Sequence, residues 1–376
     1  MLHGVLSLMA FFVSGFISSV ICTLFLIRFS KAASPLVLDS DFISPQKFHT
    51  LPVARIGGVG VLFGLIAALV YSLIADTPKT ELFLVLLLSS LPAFAVGILE
   101  DCIKSLSVKV RLVLVAIAAT IPLFILGIYR IQVDIPGIDA LLAFPIASML
   151  FLVFSTVGLV NAYNIIDGFN GLASMVGIIA LGAIAYVAFM VGDAIIPGLA
   201  FALIGSLLGF FVWNYPRGLI FLGDGGSYLI GYWVAILSII LVYKYPIISP
   251  WFALLVNGYP IFETLFSIWR KKLHRGVNPS VPDGIHFHML VYRRIAKWAG
   301  INGHDSTSIK SYKDNARTSP YLWVLSSATV LPALFFWKNT AVLQAAFLLF
   351  SLTYIFLYRS LVRFRTPKWL QRSRNI

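Results

Sequence analysis

Apolar residues run along this chain in long blocks, each closed by a short cluster of charge, proline or glycine. Crossing roughly 30 Å of hydrocarbon takes about 20 helical residues. Blocks of that order lie at 4–29, 57–75, 80–99, 110–128, 140–160, 171–190, 194–213, 227–243, 249–269, 319–337 and 340–358. The pattern predicts an all-α fold, a polytopic membrane helix bundle of about eleven transmembrane helices. The first block has no basic start, is too long for the apolar core of a cleaved signal and ends at Arg28 and Lys31, so it is expected to stay in the mature protein. The longest stretch between blocks, 270–318, holds few clustered apolar residues, and no internal repeat or low-complexity tract is present. One integral-membrane domain over 1–376 is expected, with a histidine-containing loop at 270–318 and a basic tail at 359–376.

Composition agrees. Hydrophobic residues make up 59% of the chain, charged residues 11%, and the mean hydropathy is +0.93, which excludes a water-soluble globular domain. Two cysteines, Cys22 and Cys102, are too few for a disulfide or zinc framework. Eleven crossings put the termini on opposite sides, and 24 of the 28 Lys and Arg residues then fall on one side. By the positive-inside rule the N-terminus is outside, the C-terminus is cytoplasmic and the protein sits in the cell's inner membrane. The net charge of +13 is thereby read as topology, with no nucleic acid as partner. The tail 364–376 also suits anionic membrane lipid.

The connections on the outer side are short, whereas the cytoplasmic ones hold the unusual polar chemistry. Carboxylates beside lipid are expensive and point to chemistry. Four stand out: Glu100 and Asp101 at the end of the third block, Asp167 in NAYNIIDGFNGLA, and Asp224 in FLGDGGS. Two adjacent acids at a helix C-terminus oppose the helix dipole, which suggests metal binding or proton uptake, although a solvated helix end also accommodates them. Asn161, Asn164, Asp167 and Asn170 interrupt an apolar segment, and such polar backbone is tolerated at membrane depth where it lines a cavity. Asp224 suits a hard cation such as Mg2+ or Mn2+, and the glycine amides after it suit phosphate; a simple N-cap is the other reading of Asp224. Lys47, His49 and Arg55 precede Gly57 and Gly58, where backbone and cations can approach an anion. His286 and His288, two apart, share a face only in extended chain, where they suit phosphate or sugar better than zinc, for which Asp283 alone is thin support. Glu263 lies within the ninth block, and pairing with a cation of the 270–318 loop would explain it.

Taken together, five ordered motifs between Lys47 and Arg294 resemble the polyprenyl-phosphate N-acetylhexosamine-1-phosphate transferases. They are a K-x-H and Gly-Gly loop, the acidic pair before L-S-x-K-x-R, N-A-x-N-x-x-D-G-x-x-G-L, F-x-G-D-x-G-S, and a histidine loop. The resemblance implies transfer of a sugar-1-phosphate from a UDP-N-acetylhexosamine to undecaprenyl phosphate, with release of UMP and an active site facing the cytoplasm. It implies Mg2+ on Asp224 and Asp167, proton uptake by Glu100 or Asp101, uracil at Asn214 and Phe221, nucleotide or diphosphate near Lys104, Asn164, Asp167, His286 and His288, and substrate binding that includes Lys109. A homodimer is a further expectation. Three positions depart from the family pattern: Glu100 replaces an Asp, Asn170 replaces the second acid of its motif, and Met289 replaces a third His. The two-histidine loop inclines the reading toward enzymes that initiate O-antigen and other surface polysaccharides, over the phospho-N-acetylmuramoyl-pentapeptide transferases. A non-catalytic scaffold and a lipid-linked sugar transporter are the readings from other classes; a transporter should carry charge along the bilayer midplane.

Overall fold

A computed structural model describes residues 2–30, 38–39, 53–274, 285–298 and 308–363. Numbered in chain order, the helices are α1 (Leu2–Ser30), α2 (Gly57–Ile74), α3 (Thr80–Ile103), α4 (Val108–Ile125), α5 (Pro136–Leu142), α6 (Pro145–Ile166) and α7 (Leu172–Met190). They continue as α8 (Ile196–Asn214), α9 (Gly223–Lys244), α10 (Pro250–Val256), α11 (Gly258–Trp269), α12 (Phe287–Trp298), α13 (Ser308–Phe336) and α14 (Thr340–Val362). Ten of these are long and apolar enough to span a membrane, and α10 with the helix after it makes an eleventh span bent by 78°. The only strands among the described residues are a two-residue antiparallel pair, β1 (Leu38–Asp39) with β2 (Val53–Ala54).

The hydrophobic blocks thus become helices in the predicted number, with shifted ends. The fifth span starts at Pro145 and not at 140, because Pro145 takes a first-turn position where its missing N–H costs nothing, and the preceding residues coil separately as α5. The ninth span breaks at Asn257. Pro260 cannot donate to the carbonyl of Val256, and the Asn257 side chain supplies a substitute bond to Ala253 O (3.1 Å) while accepting one from Tyr163 Oη (3.3 Å).

The centre of the bundle is α9, buried at every residue from Gly223 to Val242. A helix apolar on all sides belongs inside other protein, and glycine lets three neighbours come close. A Cβ on Gly58 of α2 would lie 2.4 Å from the Gly226 nitrogen. One on Gly97 of α3 would lie 2.5 Å from the Gly225 Cα, and one on Gly231 would lie 2.7 Å from the Val160 Cα of α6. In lipid, where tails are as apolar as Leu, such close backbone contact is a main source of helix association. At the end where α9 begins, α2 also begins and α3 and α6 end, so among the described residues the segments of Arg55, Glu100–Asp101, Asp167 and Asp224 converge there.

At the opposite end the buried Asp193 caps α8. It accepts from the amides of Ile195 and Ile196 (both 2.7 Å), from Lys244 Nζ (2.6 Å) and from Tyr245 Oη (2.9 Å).

Candidate active site

Each site carboxylate is placed by the helix that ends or begins at it. Glu100 and Asp101 occupy the last turn of α3, which Lys104 closes in the left-handed conformation. Asp167 caps α6, and Asp224 sits in the first turn of α9. The chain enters α9 through Gly223, whose φ of +78° and position against the Arg55 carbonyl exclude a side chain. A backbone strap holds this loop: Phe221 N donates to Ala54 O (2.8 Å), and the amides of Gly57 and Gly58 donate to Phe221 O (2.9 Å) and Leu222 O (2.8 Å).

The α9 start brings Asp101, Asp167 and Asp224 together. Gly225 N donates to Asp101 Oδ2 (3.1 Å), Asp224 N donates to the same carboxylate, and Gly223 N donates to Asp167. The Gly225 amide, expected to suit phosphate, is engaged with the Asp101 carboxylate in this structure. Likewise the Gly57–Gly58 pair serves close contact between α2 and the α9 loop. Cations sit among the acids. Arg55 lies 3.7 Å from Asp101 Oδ1 and 3.4 Å from Asp224 Oδ1, and Arg111 lies 3.5 Å from Glu100 Oε1 and 3.8 Å from Asp224 Oδ2. Glu100 Oε2 also accepts from Leu106 N (3.0 Å). Burial pushes the Asp167 carboxyl up to about 7, with Asp224 adding to the rise against Arg55 and the Gly223 amide.

Asp101 Oδ1 is buried with no hydrogen-bond donor. A hard cation suits such an oxygen, and Mg2+ is ordinarily held by one or two carboxylates together with substrate phosphates. No group of three His, Cys, Asp or Glu among the described residues converges as a ready-made metal cage. Any ion held here would need a phosphorylated substrate to complete its coordination.

The histidine loop reaches the cluster from the other side. His286 Nδ1 lies 2.9 Å from Glu263 Oε1, and Glu263 also accepts from Tyr354 Oη (2.5 Å) and Phe287 N (3.3 Å). The intramembrane acid is thereby hydrogen-bonded to the loop through His286 and Phe287 and to α14 through Tyr354. The rings of His286 and His288 stack in parallel, 5.4 Å apart, with His286 just before α12 and His288 in its first turn. His288 is fully buried and neither ring nitrogen has a hydrogen-bond partner. Its Nε2 faces Gly168, 3.4 Å from where a Cβ would stand, next to Asp167. Burial drives its pKa down to about 3 against the pull of Glu263, with His286 lowering it further, so the ring is neutral.

Other predicted residues have different work. Asn214 accepts from Gly171 N (2.5 Å) and donates to Ile220 O (2.7 Å), so both ends of its amide are used within the protein. Asn170 is tied to Asn315, Pro216 and Ser319, bracing the loop against α13. Asn161 bonds Val157 O on its own helix, and Asn164 reaches Ser227 Oγ (3.2 Å) at the α9 start. Phe221 is half-buried, and Lys104 and Lys109 are exposed at the rim. Lys47, His49, Asp283 and the tail 364–376 lie outside the described residues. Arg111, the last residue of L-S-x-K-x-R, escaped the site reading; its place two after Lys109 was the available signal.

Residues 83–242 match glycosyl transferase family 4. A probable undecaprenyl-phosphate N-acetylglucosaminyl 1-phosphate transferase of Bacillus subtilis is 31% identical over 286 residues, covering 73% of this chain and 76% of its own. An undecaprenyl-phosphate alpha-N-acetylglucosaminyl 1-phosphate transferase of Thermotoga maritima is 30% identical over 253 residues, 67% of this chain and 72% of its own. A phospho-N-acetylmuramoyl-pentapeptide-transferase of Streptococcus thermophilus is 33% identical over 156 residues, 41% of this chain and 44% of its own. The matched range 83–242 holds the Glu100–Asp101, Asp167 and Asp224 segments that meet around the start of α9, and with the relatives aligned over most of its length the chain belongs to glycosyl transferase family 4.

Proposed function

We propose that this protein transfers N-acetylglucosamine-1-phosphate from UDP-N-acetylglucosamine to undecaprenyl phosphate at the cytoplasmic face of the membrane, as the initiating step of a surface polysaccharide such as O-antigen. The observation that carries the reading is the carboxylate cluster at the α9 start, interleaved with Arg55 and Arg111 at one end of a membrane bundle. One substrate is water-soluble and the other is a lipid, and both are anionic. A site at the bundle end lets them meet. The choice of sugar rests on the relatives aligned along most of the chain, whose names specify N-acetylglucosaminyl 1-phosphate transfer.

In the reaction an oxygen of the lipid phosphate attacks the sugar-bearing phosphorus of the donor, a new pyrophosphate bond forms, and the bond to the departing UMP breaks. Asp224 and Asp167 would hold Mg2+ or Mn2+, which when bound neutralises the donor diphosphate and the leaving phosphate. Arg55 and Arg111, balanced between carboxylates, offer guanidinium donors to incoming phosphate oxygens. Asp101 or Glu100 takes the remaining proton of the acceptor phosphate. His288, neutral and unpartnered, presents ring nitrogens next to the Asp167 turn for the sugar or diphosphate. Catalysis on this reading is mostly positioning and charge compensation.

The test is UMP release by purified protein supplied with undecaprenyl phosphate, divalent metal and a panel of UDP-sugars, with Asp224→Ala as control. Release with UDP-N-acetylglucosamine, abolished in the control, is expected. Release only with the UDP-muramoyl-pentapeptide would move the protein to the peptidoglycan branch. Silence across the panel from folded protein would favour the scaffold.

A further inference from the structure

Two faces of α12 meet different surroundings. His288 is turned toward Gly168, whereas Leu290, Arg293 and Arg294 line a groove between α11, α12 and the last turns of α14. Its volume is about 1020 Å³, at the upper end of ordinary ligand pockets. Phe262, Leu265, Phe266, Ile355 and Leu361 form apolar walls, and no Asp or Glu lines it among the described residues. Arg293, Arg359 and Arg363 stand along the groove, and none of the three pairs with a carboxylate among the described residues. Arg270 plays another part: it donates to Ile285 O (2.8 Å) and Tyr358 Oη (2.6 Å), fixing the wall that joins α11 to α14. Trp269, exposed beside it, has the amphipathic ring that settles at a membrane interface.

An apolar groove on a membrane bundle takes an acyl chain from any lipid, so selection among lipids falls to the charges at its edge. A basic residue near an anionic membrane surface contributes roughly 1 kcal/mol, about fivefold in affinity. Three arginines with no counter-charge among the described residues favour a headgroup with net negative charge over a zwitterionic one. We propose that this groove binds an anionic diacyl phospholipid, with an acyl chain along α11 and α14 and the headgroup phosphate against Arg293, Arg359 and Arg363. The site is separate from the carboxylate cluster and independent of the transferase reading. A lipid seated there braces α12, the helix that carries His288.

Full-length protein in micelles doped with phosphatidylglycerol or with phosphatidylcholine of the same chains, examined by native mass spectrometry, tests this. Retention of one phosphatidylglycerol at least roughly tenfold over phosphatidylcholine is expected, with the preference falling as ionic strength rises. The R293Q/R359Q/R363Q variant should lose the preference while keeping its unfolding midpoint in phosphatidylcholine micelles. Equal retention of the two lipids by the wild type, a preference that survives in the variant, or one that ignores salt overturns the proposal. Displacement of the retained phosphatidylglycerol by equimolar undecaprenyl phosphate would assign the groove to the acceptor lipid and overturn it too. Should the variant unfold, the salt dependence of the wild type decides.

Discussion

Asp101, Asp167 and Asp224 repel one another, and the fold holds them together with backbone amides and Arg55. Substituting Asp224 by Asn keeps the shape and removes the charge, and should lower UMP release by at least about a hundredfold, in the range for loss of one preorganised electrostatic group. Asp167 gives a prediction with a definite sign. A carboxyl raised to about 7 binds its proton more tightly in the folded state, so its contribution to stability is present below pH ~4 and is lost as pH rises toward 7. Without metal, Asp167→Asn should therefore unfold at a higher temperature than the wild type at pH 8 and at nearly the same temperature at pH 4. An equal gap at both pH values would count against it. Asp193 behaves oppositely. Burial raises its pKa, but Lys244 and the amides of Ile196 and Ile195 outweigh burial and leave it lowered, so its stabilisation holds above pH ~4 and disappears on acidification. Asp193→Ala should cost about 2 kcal/mol at neutral pH, mostly the lost cap of α8, and much less at pH 3 in chemical unfolding. The acids were legible from residue type and setting. Arg111 was not singled out, because a basic residue before a membrane span has the same appearance whether it serves topology or a site.

At the scale of elements, glycine decides how far each site helix approaches α9. A Gly97→Val side chain would meet the Gly225 backbone, which cannot move without carrying Asp224 and the Asp101 amide bonds with it. The expected result is destabilisation of about 1–3 kcal/mol together with loss of activity and little change in helix content by circular dichroism. Gly182→Val, at a position with nothing within 4 Å, should leave both nearly unchanged. If the two variants behave alike, close contact is not what places the acids. Hydrophobic blocks predict spans because length and apolarity alone decide which segments can cross hydrocarbon. They carry no record of which helix touches which, so the sharing of amides between the α9 turn and the ends of α3 and α6 had no counterpart in the pattern.

The whole molecule has a polar end and a plain end, and the positive-inside rule predicts that the polar end faces the cytoplasm. In a variant with Cys22 and Cys102 replaced by Ser, a single cysteine at the exposed position 217 should react with a membrane-impermeant maleimide only after permeabilisation, and one at 338 in intact cells. The reverse pattern would invert the topology and place the carboxylates outside, away from UDP-sugars. Membrane class, number of spans, segregation of charge and the four carboxylates all follow from the sequence, because each depends on residue type and spacing along one chain. Only the tertiary structure decides that the Gly225 amide serves the Asp101 carboxylate, that Asn214 and Asn170 brace loops, and that Glu263 holds the histidine loop. Those outcomes depend on which partner a polar group finds in space, and a buried group takes the nearest donor or acceptor the fold provides, however far away along the chain.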